Sequence, residues 1–171
     1  GDIEGEVVRV REVPDLDASH INSVLNSFLG DIRQIPPMYS ALKHNGQPLY
    51  KLARQGIEVE RDARTINVYK FEILDFRPGP QAELDVEVHV SKGTYVRTLA
   101  EDIGEVLGCG AHVQTLRRLQ AGAFGEAQCV TMATLAQLKE AGGLAALDPW
   151  LQATDCAVQD LPEVRLPEET A

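Results

Sequence analysis

Apolar residues recur at helical spacing in three main places along the chain. In the segment 17–30 they follow the pattern of an amphipathic helix, with Asp17 or Ser19 available to cap its start and Gly30 to end it. A second helix is predicted after Gly93, and one face of it carries the apolar residues Tyr95, Leu99, Ile103, Val106 and Leu107. A third helix is predicted from Thr131 to about Ala141.

Alternating apolar and polar residues predict strands between these helices. The alternation is found in residues 64–76 and 82–90, on the two sides of an Arg-Pro-Gly-Pro turn, and residues 5–13 and 111–124 are also predicted to be strands. The two central runs predict an antiparallel hairpin. Together the elements indicate an α/β (α+β) fold with a mixed, largely antiparallel sheet flanked by helices.

A basic insertion, residues 33–64, interrupts this regular pattern. Pro36-Pro37 and Asn45-Gly46 exclude regular structure at two places, and Pro48 opens a short helix that ends at Gly56. About 30 residues without core-type periodicity are uncommon inside a compact domain, and such segments are usually functional or mobile.

The distribution of charge distinguishes this insertion from the rest of the chain. The whole chain has a net charge of -10, which argues against binding to nucleic acid, because phosphates are neutralised by Lys and Arg. However, residues 1–32 carry a net charge of -5 and residues 126–171 carry -6, whereas residues 33–64 carry +3. A basic middle between acidic ends indicates either an anion-facing surface or an ordinary surface of mixed charge.

Several classes of protein receive no support from the sequence. It has no membrane-spanning apolar run and no signal peptide, so a cytoplasmic location is expected. The spacings of its three Cys and four His match no metal site, and it contains no P-loop, GxGxxG or GxSxG motif. We therefore expect no metal, no nucleotide cofactor and no serine-hydrolase chemistry.

Arg97 is the most informative candidate residue, because it lies at the start of a predicted helix. The helix dipole disfavours a cation there, so a negative group should compensate it. Arg97 could pair with a structural carboxylate, bind a phosphate, or hold a catalytic carboxylate ionised. Tyr95 could be a core residue or an aromatic plate for a base.

Other candidates are weaker by themselves. Leu116 is most simply explained as a core residue, and the adjacent Arg117 and Arg118, if on a strand, must point to opposite faces. In the insertion, aromatic residues interleave with Lys and Arg, a pattern that suits splayed, single-stranded RNA better than a duplex groove.

Three stretches together carry a resemblance to a known family. "GDIEGEVV" at the start, "IPPMYSALKHNGQPLYKLARQGIEVERDAR" and "VSKGTYVRTLAEDIGEVLGCGAHVQTLRR" recur in this order in the TruB family of bacterial tRNA pseudouridine synthases. The resemblance runs from Gly1 to about Leu151. It implies the pseudouridine synthase fold and isomerisation of uridine 55 in the tRNA T loop, by base flipping, with an essential Asp and no cofactor.

The resemblance also implies roles for individual residues. Arg97 would pair with the catalytic Asp, Tyr95 would stack near the target uracil, and Leu116 would line the same pocket. The basic insertion would be a mobile thumb that closes over the T loop. Its expected RNA-binding residues are Tyr39, Lys43, Tyr50, Lys51, Arg54, Arg61 and Arg64.

One departure from the family pattern is important. The family's catalytic Asp belongs to a GxLDPxAxG-like motif, and this sequence lacks it. Leu147-Asp148-Pro149 imitates its centre, but no AxG follows, so Asp148 is not predicted to be the nucleophile.

The resemblance therefore implies that the chain is a fragment. Residues 1–151 would be the C-terminal part of the synthase domain, and residues 152–171 would be an acidic tail or linker toward a PUA-type RNA-binding domain. A complementary N-terminal fragment is a candidate partner, and a monomer is expected otherwise. This piece alone is expected to be inactive.

Two other functions compete with a synthase. A non-catalytic module could grip a tRNA loop and assist its folding, using the thumb and Tyr95. An acidic protein-interaction domain would explain the net charge but would leave the basic insertion without a purpose.

Overall fold

The computed structural model describes residues 1–159 and 161–162. It divides the chain into two compact units, Gly1–Thr115 and Leu116–Ala171, which we describe separately.

The first unit contains the helices α1 (Ala18–Ser27), α2 (Leu49–Ala53) and α3 (Val96–Val106). All three were predicted. The Asp17 side chain caps α1, because its Oδ1 accepts a hydrogen bond of 2.7 Å from the backbone N–H of His20.

The strands of the first unit form a three-stranded sheet and a small hairpin. The sheet has the order β1-β4-β5 and is antiparallel throughout, and β2 pairs with β3 in the hairpin. In chain order the strands are β1 (Gly30–Gln34), β2 (Lys43–His44), β3 (Gln47–Pro48), β4 (Arg64–Arg77) and β5 (Glu83–Val90).

The predicted hairpin is confirmed as β4 and β5, and its register explains an irregularity in the sequence. Apolar residues alternate at Ile66 and Val68 and resume at Phe71, three positions later. The pairing with β5 shifts between Val68 and Lys70, which is a β-bulge. The extra residue returns Phe71 to the face that Val68 occupies, so the apolar face stays continuous.

The core of the unit lies between this sheet and two helices. Residues of α1, β4 and α3, together with Leu16 just before α1, bury their side chains in one cluster, so both helices cover the same face of β4. The buried members are Leu16, Ile21, Val24, Leu25, Ile66, Val68, Leu99 and Ile103. The prediction that Val106 shares this face is wrong, since Val106 is 58% exposed at the last position of α3.

Two predicted strands are wrong. Residues 5–13 pair with no strand in the described part of the chain, and Val7, Val8 and Val10 are exposed. Residues 111–124 form only a minimal hairpin at their end, β6 (Gln120–Ala121) with β7 (Phe124–Gly125). A segment with strand-like composition forms no strand where no neighbour supplies the hydrogen bonds. The argument that placed Arg117 and Arg118 on opposite faces of a strand therefore fails.

The basic insertion is more regular than predicted. Its first two residues belong to β1, a strand that the sequence analysis missed, and Asn45-Gly46 forms the two-residue turn of the β2–β3 hairpin. Asn45 and Gly46 both have positive φ, 50° and 81°, which this tight turn requires and Asn-Gly favours. Leu49 and Leu52 of α2 are buried, so the insertion is anchored by its own short helix.

The second unit contains the β6–β7 hairpin and helix α4 (Met132–Gly142), which confirms the predicted third helix. The Thr131 side chain caps α4 by accepting a hydrogen bond of 3.1 Å from Thr134 N. Short 3-10 turns follow, among them Asp148–Trp150 and Cys156–Val158. Of the predicted tail, Asp160 and residues 163–171 lie outside the described residues. Within the described part, no helix combines the length and apolar character needed to cross a membrane.

Candidate active site

The connection from β5 to α3 places Tyr95 and Arg97. The backbone turns at Gly93, whose φ of +84° favours glycine. The Thr94 hydroxyl donates a hydrogen bond of 2.9 Å to the Ser91 carbonyl, and Ser91 Oγ accepts one of 2.9 Å from Asn67 N. The turn is thereby fixed to the sheet. Arg97 lies in the first turn of α3, as predicted.

Asp2 is the negative group that compensates Arg97. Arg97 Nη1 donates a hydrogen bond of 2.8 Å to Asp2 Oδ2, and both side chains are about one-third exposed. This hydrogen bond holds the pKa of the Asp2 carboxyl below its ordinary value. Arg97 Nη2 also donates a bond of 3.2 Å to the backbone carbonyl of Tyr39, in the insertion.

The backbone at the start of the chain holds Asp2 in place. Ile3 N donates to the Val113 carbonyl at 3.0 Å, and Val113 N donates to the Gly1 carbonyl at 3.1 Å. Asp2 is a site residue that the sequence analysis missed. Its only signal is that it lies in "GDIEGEVV", one of the three stretches that carry the family resemblance, and no periodicity connects it with a residue 95 positions later.

A small cavity of about 110 Å³ lies beside the Arg97–Asp2 pair. Its walls come from Gly1, residues 37–39 of the insertion, and Arg97, Thr98 and Glu101 of α3. The Thr98 hydroxyl is buried and makes no hydrogen bond within the described residues. The cavity walls include one cationic side chain, Arg97, and one acidic side chain, Glu101. A larger groove of about 750 Å³, between residues 10–16 and the β4–β5 turn, contains none of the predicted site residues.

Tyr95 is half-buried and is the residue that precedes α3. Its backbone is held on both sides by Gln34, since Tyr95 N donates to Gln34 Oε1 at 2.8 Å and Gln34 Nε2 donates to the Tyr95 carbonyl at 3.2 Å. The predicted stacking of the Tyr95 ring near the target uracil stays a prediction.

The predicted RNA-binding residues of the insertion differ in their exposure and in their ion pairs. Lys43, Lys51 and Arg54 are exposed and form no ion pair with any described residue, and the Arg54 guanidinium lies 5.4 Å from the centre of the Tyr50 ring. Arg61 is instead held by Glu58 through a bond of 3.1 Å, and its Nε is buried. Tyr39 is 56% exposed, close to Arg97 through its carbonyl, and Arg64 is exposed at the start of β4.

Leu116 begins the second unit and is 61% exposed. The prediction that it is a core residue is wrong, because the strand that would bury it does not form. Its predicted place in the pocket remains a prediction. Arg117 is also exposed and pairs with Glu126, and Asp148 is exposed within a 3-10 turn of the same unit.

Comparison with protein families gives two matches that together span most of the chain. Residues 1–96 match the N-terminal domain of TruB family pseudouridylate synthases. Residues 97–159 match the C-terminal domain of tRNA pseudouridylate synthase B.

Individual relatives agree with these matches. The chain is 51% identical over 170 residues to tRNA pseudouridine synthase B of Saccharophagus degradans, covering 99% of this chain and 54% of the relative. It is 53% identical over 171 residues to the protein of the same name from Pseudomonas putida strain F1, covering 100% of this chain and 55% of the relative. The chain thus spans about half the length of the curated relatives it matches.

Solved structures show the same fold. A Cbf5-Nop10-Gar1 complex contains a chain with a TM-score of 0.61 and 30% identity, covering 82% of this chain and 37% of that one. An H/ACA RNP bound to a substrate RNA containing 2'-deoxyuridine gives a TM-score of 0.53 and 28% identity, covering 78% of this chain and 34% of that one. The predicted fold class is confirmed. The chain belongs to the TruB family of pseudouridylate synthases.

Proposed function

We propose that the full-length protein containing these residues is a tRNA pseudouridine synthase that isomerises uridine 55 in the T loop. Support comes from family membership and from relatives that carry the name tRNA pseudouridine synthase B. The contact of Arg97 with both Asp2 and the insertion, beside a cavity, is the structural observation that carries the proposal.

The reaction exchanges one bond to the ribose for another. The bond from C1′ to N1 of the uracil breaks, the base rotates, and C1′ bonds to C5, which loses its proton while N1 gains one. No oxidant, reductant or cofactor enters this balance. What the protein must supply is a base flipped out of its stack, a nucleophilic carboxylate and control of the proton.

Arg97 is suited to hold the nucleophilic carboxylate ionised. Its guanidinium has five N–H donors in a rigid fork, and the described residues accept from two of them, one on each Nη. The remaining donors can serve a second carboxylate, the Asp of the family motif that this sequence lacks. Asp2 then keeps the guanidinium oriented and offsets part of its charge.

The insertion is suited to hold the T loop while its uridine is flipped out. We propose that it is the thumb, with Lys43, Lys51 and Arg54 on phosphates and the rings of the exposed Tyr39 and the half-buried Tyr50 beside unstacked bases. Base stacking contributes about 1–3 kcal/mol per base, which offsets much of the few kcal/mol that extrusion of the uridine costs. Tyr95 completes the proposed pocket around the uracil.

We propose that the partner is the T stem-loop, that the protein is a monomer, and that it is located in the cytoplasm, where tRNA is used.

The test of the proposed activity is to incubate the full-length protein with an unmodified tRNA transcript and map pseudouridine by carbodiimide labelling and primer extension. We expect one new stop, which maps pseudouridine to position 55. A stop at another uridine would refute the proposed substrate position, and tight binding without any stop would favour the non-catalytic RNA-binding module.

A further inference from the structure

Gln34 is a buried polar residue that the proposed chemistry does not use. It is the last residue of β1 and is 2% exposed, so it has essentially no access to water. A side-chain amide buried in this way must find hydrogen-bond partners within the protein. It finds them at one residue of the candidate site.

Both polar atoms of the Gln34 amide bind the backbone of Tyr95. Oε1 accepts from Tyr95 N at 2.8 Å and Nε2 donates to the Tyr95 carbonyl at 3.2 Å. Tyr95 has an extended backbone, with φ of -98° and ψ of 101°, so the amide replaces the neighbouring strand that such a residue would otherwise require. The same carbonyl accepts the first hydrogen bond of α3, from Leu99 N at 3.0 Å.

A second contact, between Tyr39 and Arg97, also joins the insertion to the start of α3. From Gln34 the chain continues through Pro36 and Pro37 to Tyr39, whose carbonyl accepts the bond from Arg97 Nη2. Each proline fixes its own φ and restricts the residue before it, so this connection is stiff. The root of the insertion therefore contacts the Tyr95-Val96-Arg97 turn at two points, once through Gln34 and once through Tyr39.

We propose that Gln34 is a positioning residue for Tyr95 and Arg97. By holding the backbone where α3 begins, it fixes the direction in which the Tyr95 ring leaves the chain and the position of the Arg97 guanidinium two residues later. The stiff connection through Pro36 and Pro37 then fixes the positions of Tyr95 and Arg97 relative to the first residues of the insertion. This inference rests on the proposed function, in which Tyr95 and Arg97 act on the uracil and on the nucleophilic carboxylate.

The experiment replaces Gln34 in the full-length protein. Gln34→Met keeps the length of the side chain and removes both hydrogen bonds. We expect the single-turnover rate on tRNA to fall about 10- to 100-fold, because small misplacements of catalytic groups have effects of this size. The Kd for tRNA should stay within about threefold, since the exposed cations of the insertion are untouched. Gln81→Met, in the exposed β4–β5 turn, is the matched control and should change neither value.

A double-mutant cycle separates positioning from general destabilisation. If Gln34 acts through this turn, adding Gln34→Met to Arg97→Lys should slow turnover by less than about threefold beyond Arg97→Lys alone. Multiplied effects, an unchanged rate for Gln34→Met, or a rate loss matched by an equal loss of tRNA binding would each overturn the inference.

A measurement without any variant covers the case in which Gln34→Met fails to fold. In the wild-type full-length protein, the Tyr95 amide should exchange with solvent at least about tenfold more slowly than the exposed Gly93 amide. Equal exchange rates would overturn the inference. If the wild-type protein makes no pseudouridine, the proposed function fails first, whereas normal conversion by Gln34→Met refutes only the positioning role.

Discussion

At the level of single residues, the placement of Arg97 needs explanation because a helix start disfavours a cation. The structure offsets this with the Asp2 carboxylate at 2.8 Å and with the Tyr39 carbonyl at 3.2 Å. Arg97 was predicted from its position alone. Asp2 could not be, because the pair depends on how the chain start lies along residue 113 and not on any local pattern.

Arg97→Lys should reduce turnover of the full-length protein by about 100-fold, which corresponds to ~2.7 kcal/mol of activation free energy. Lys keeps the charge but loses the fork that serves Asp2, Tyr39 and the proposed nucleophile together. Single-turnover kinetics on tRNA measures the effect. Arg118→Lys, on an exposed side chain of the second unit, is the control and should leave the turnover rate unchanged. Near-normal turnover of the Arg97 variant would contradict its role.

The Asp2–Arg97 pair should make stability depend on pH in the acid range. The pKa of Asp2 is lowered in the folded state, so between the folded and unfolded pKa values the unfolded chain binds more protons. The contribution is therefore complete above the ordinary pKa of 3.8 and is lost as the pH falls through the lowered value.

Urea unfolding of the wild-type protein and of Asp2→Asn at several pH values tests this expectation. The difference in unfolding free energy should be constant at neutral pH and shrink below about pH 4. Asp15→Asn, on an exposed carboxylate without an ion pair among the described residues, provides the comparison. A difference between wild type and Asp2→Asn that is the same at pH 3 and pH 7 would show that the pair does not form.

At the level of elements, the sequence predicted the helices and the hairpin whose signals lie within the segment itself. Helices α1, α3 and α4 follow from apolar spacing and capping residues, and the β4–β5 hairpin follows from alternation around its turn. Strand β1 was missed because its five residues become a strand only by pairing with the distant β4. Residues 5–13 were also predicted to be a strand, but they pair with no strand in the described chain.

The two sides of α3 give a direct test of the core. Leu99 is 1% exposed among residues of α1 and β4, whereas Val106 on the same helix is 58% exposed. Leu99→Ala should lower the free energy of unfolding by about 2–5 kcal/mol, through lost burial and the cavity it leaves. Val106→Ala should change it by less than ~0.5 kcal/mol. Denaturant unfolding measures both, and similar values for the two variants would show that α3 packs differently.

For the whole molecule, charge is informative only by region. The net charge of -10 would argue against an RNA partner, yet Lys43, Lys51 and Arg54 form an exposed basic group on one segment. The sequence identified this segment, because charge can be counted along the chain. It could not identify the two contacts that join the segment to the Tyr95-Val96-Arg97 turn, because they involve a buried amide and a backbone carbonyl.

Binding of the T stem-loop should therefore depend on salt. If Lys43, Lys51 and Arg54 each neutralise one phosphate of the single-stranded loop, log K should fall with log salt concentration with a slope of about -2 from these residues. Replacing all three with Ala should reduce the slope by that amount in fluorescence anisotropy titrations. Lys139→Ala, on α4, should leave it unchanged. An identical slope for the triple variant would mean that another surface binds the RNA.

The most direct test of the proposed activity is tritium release from tRNA labelled at uridine C5, because formation of the bond from C1′ to C5 displaces the hydrogen of that carbon. The full-length protein should release tritium from one uridine per tRNA, and residues 1–171 alone should release none, since they lack the motif with the nucleophilic Asp. Release by residues 1–171 alone would place the nucleophile within this chain and make Asp148 the first candidate. No release by the full-length protein, with tRNA binding retained, would contradict the assignment of a pseudouridine synthase.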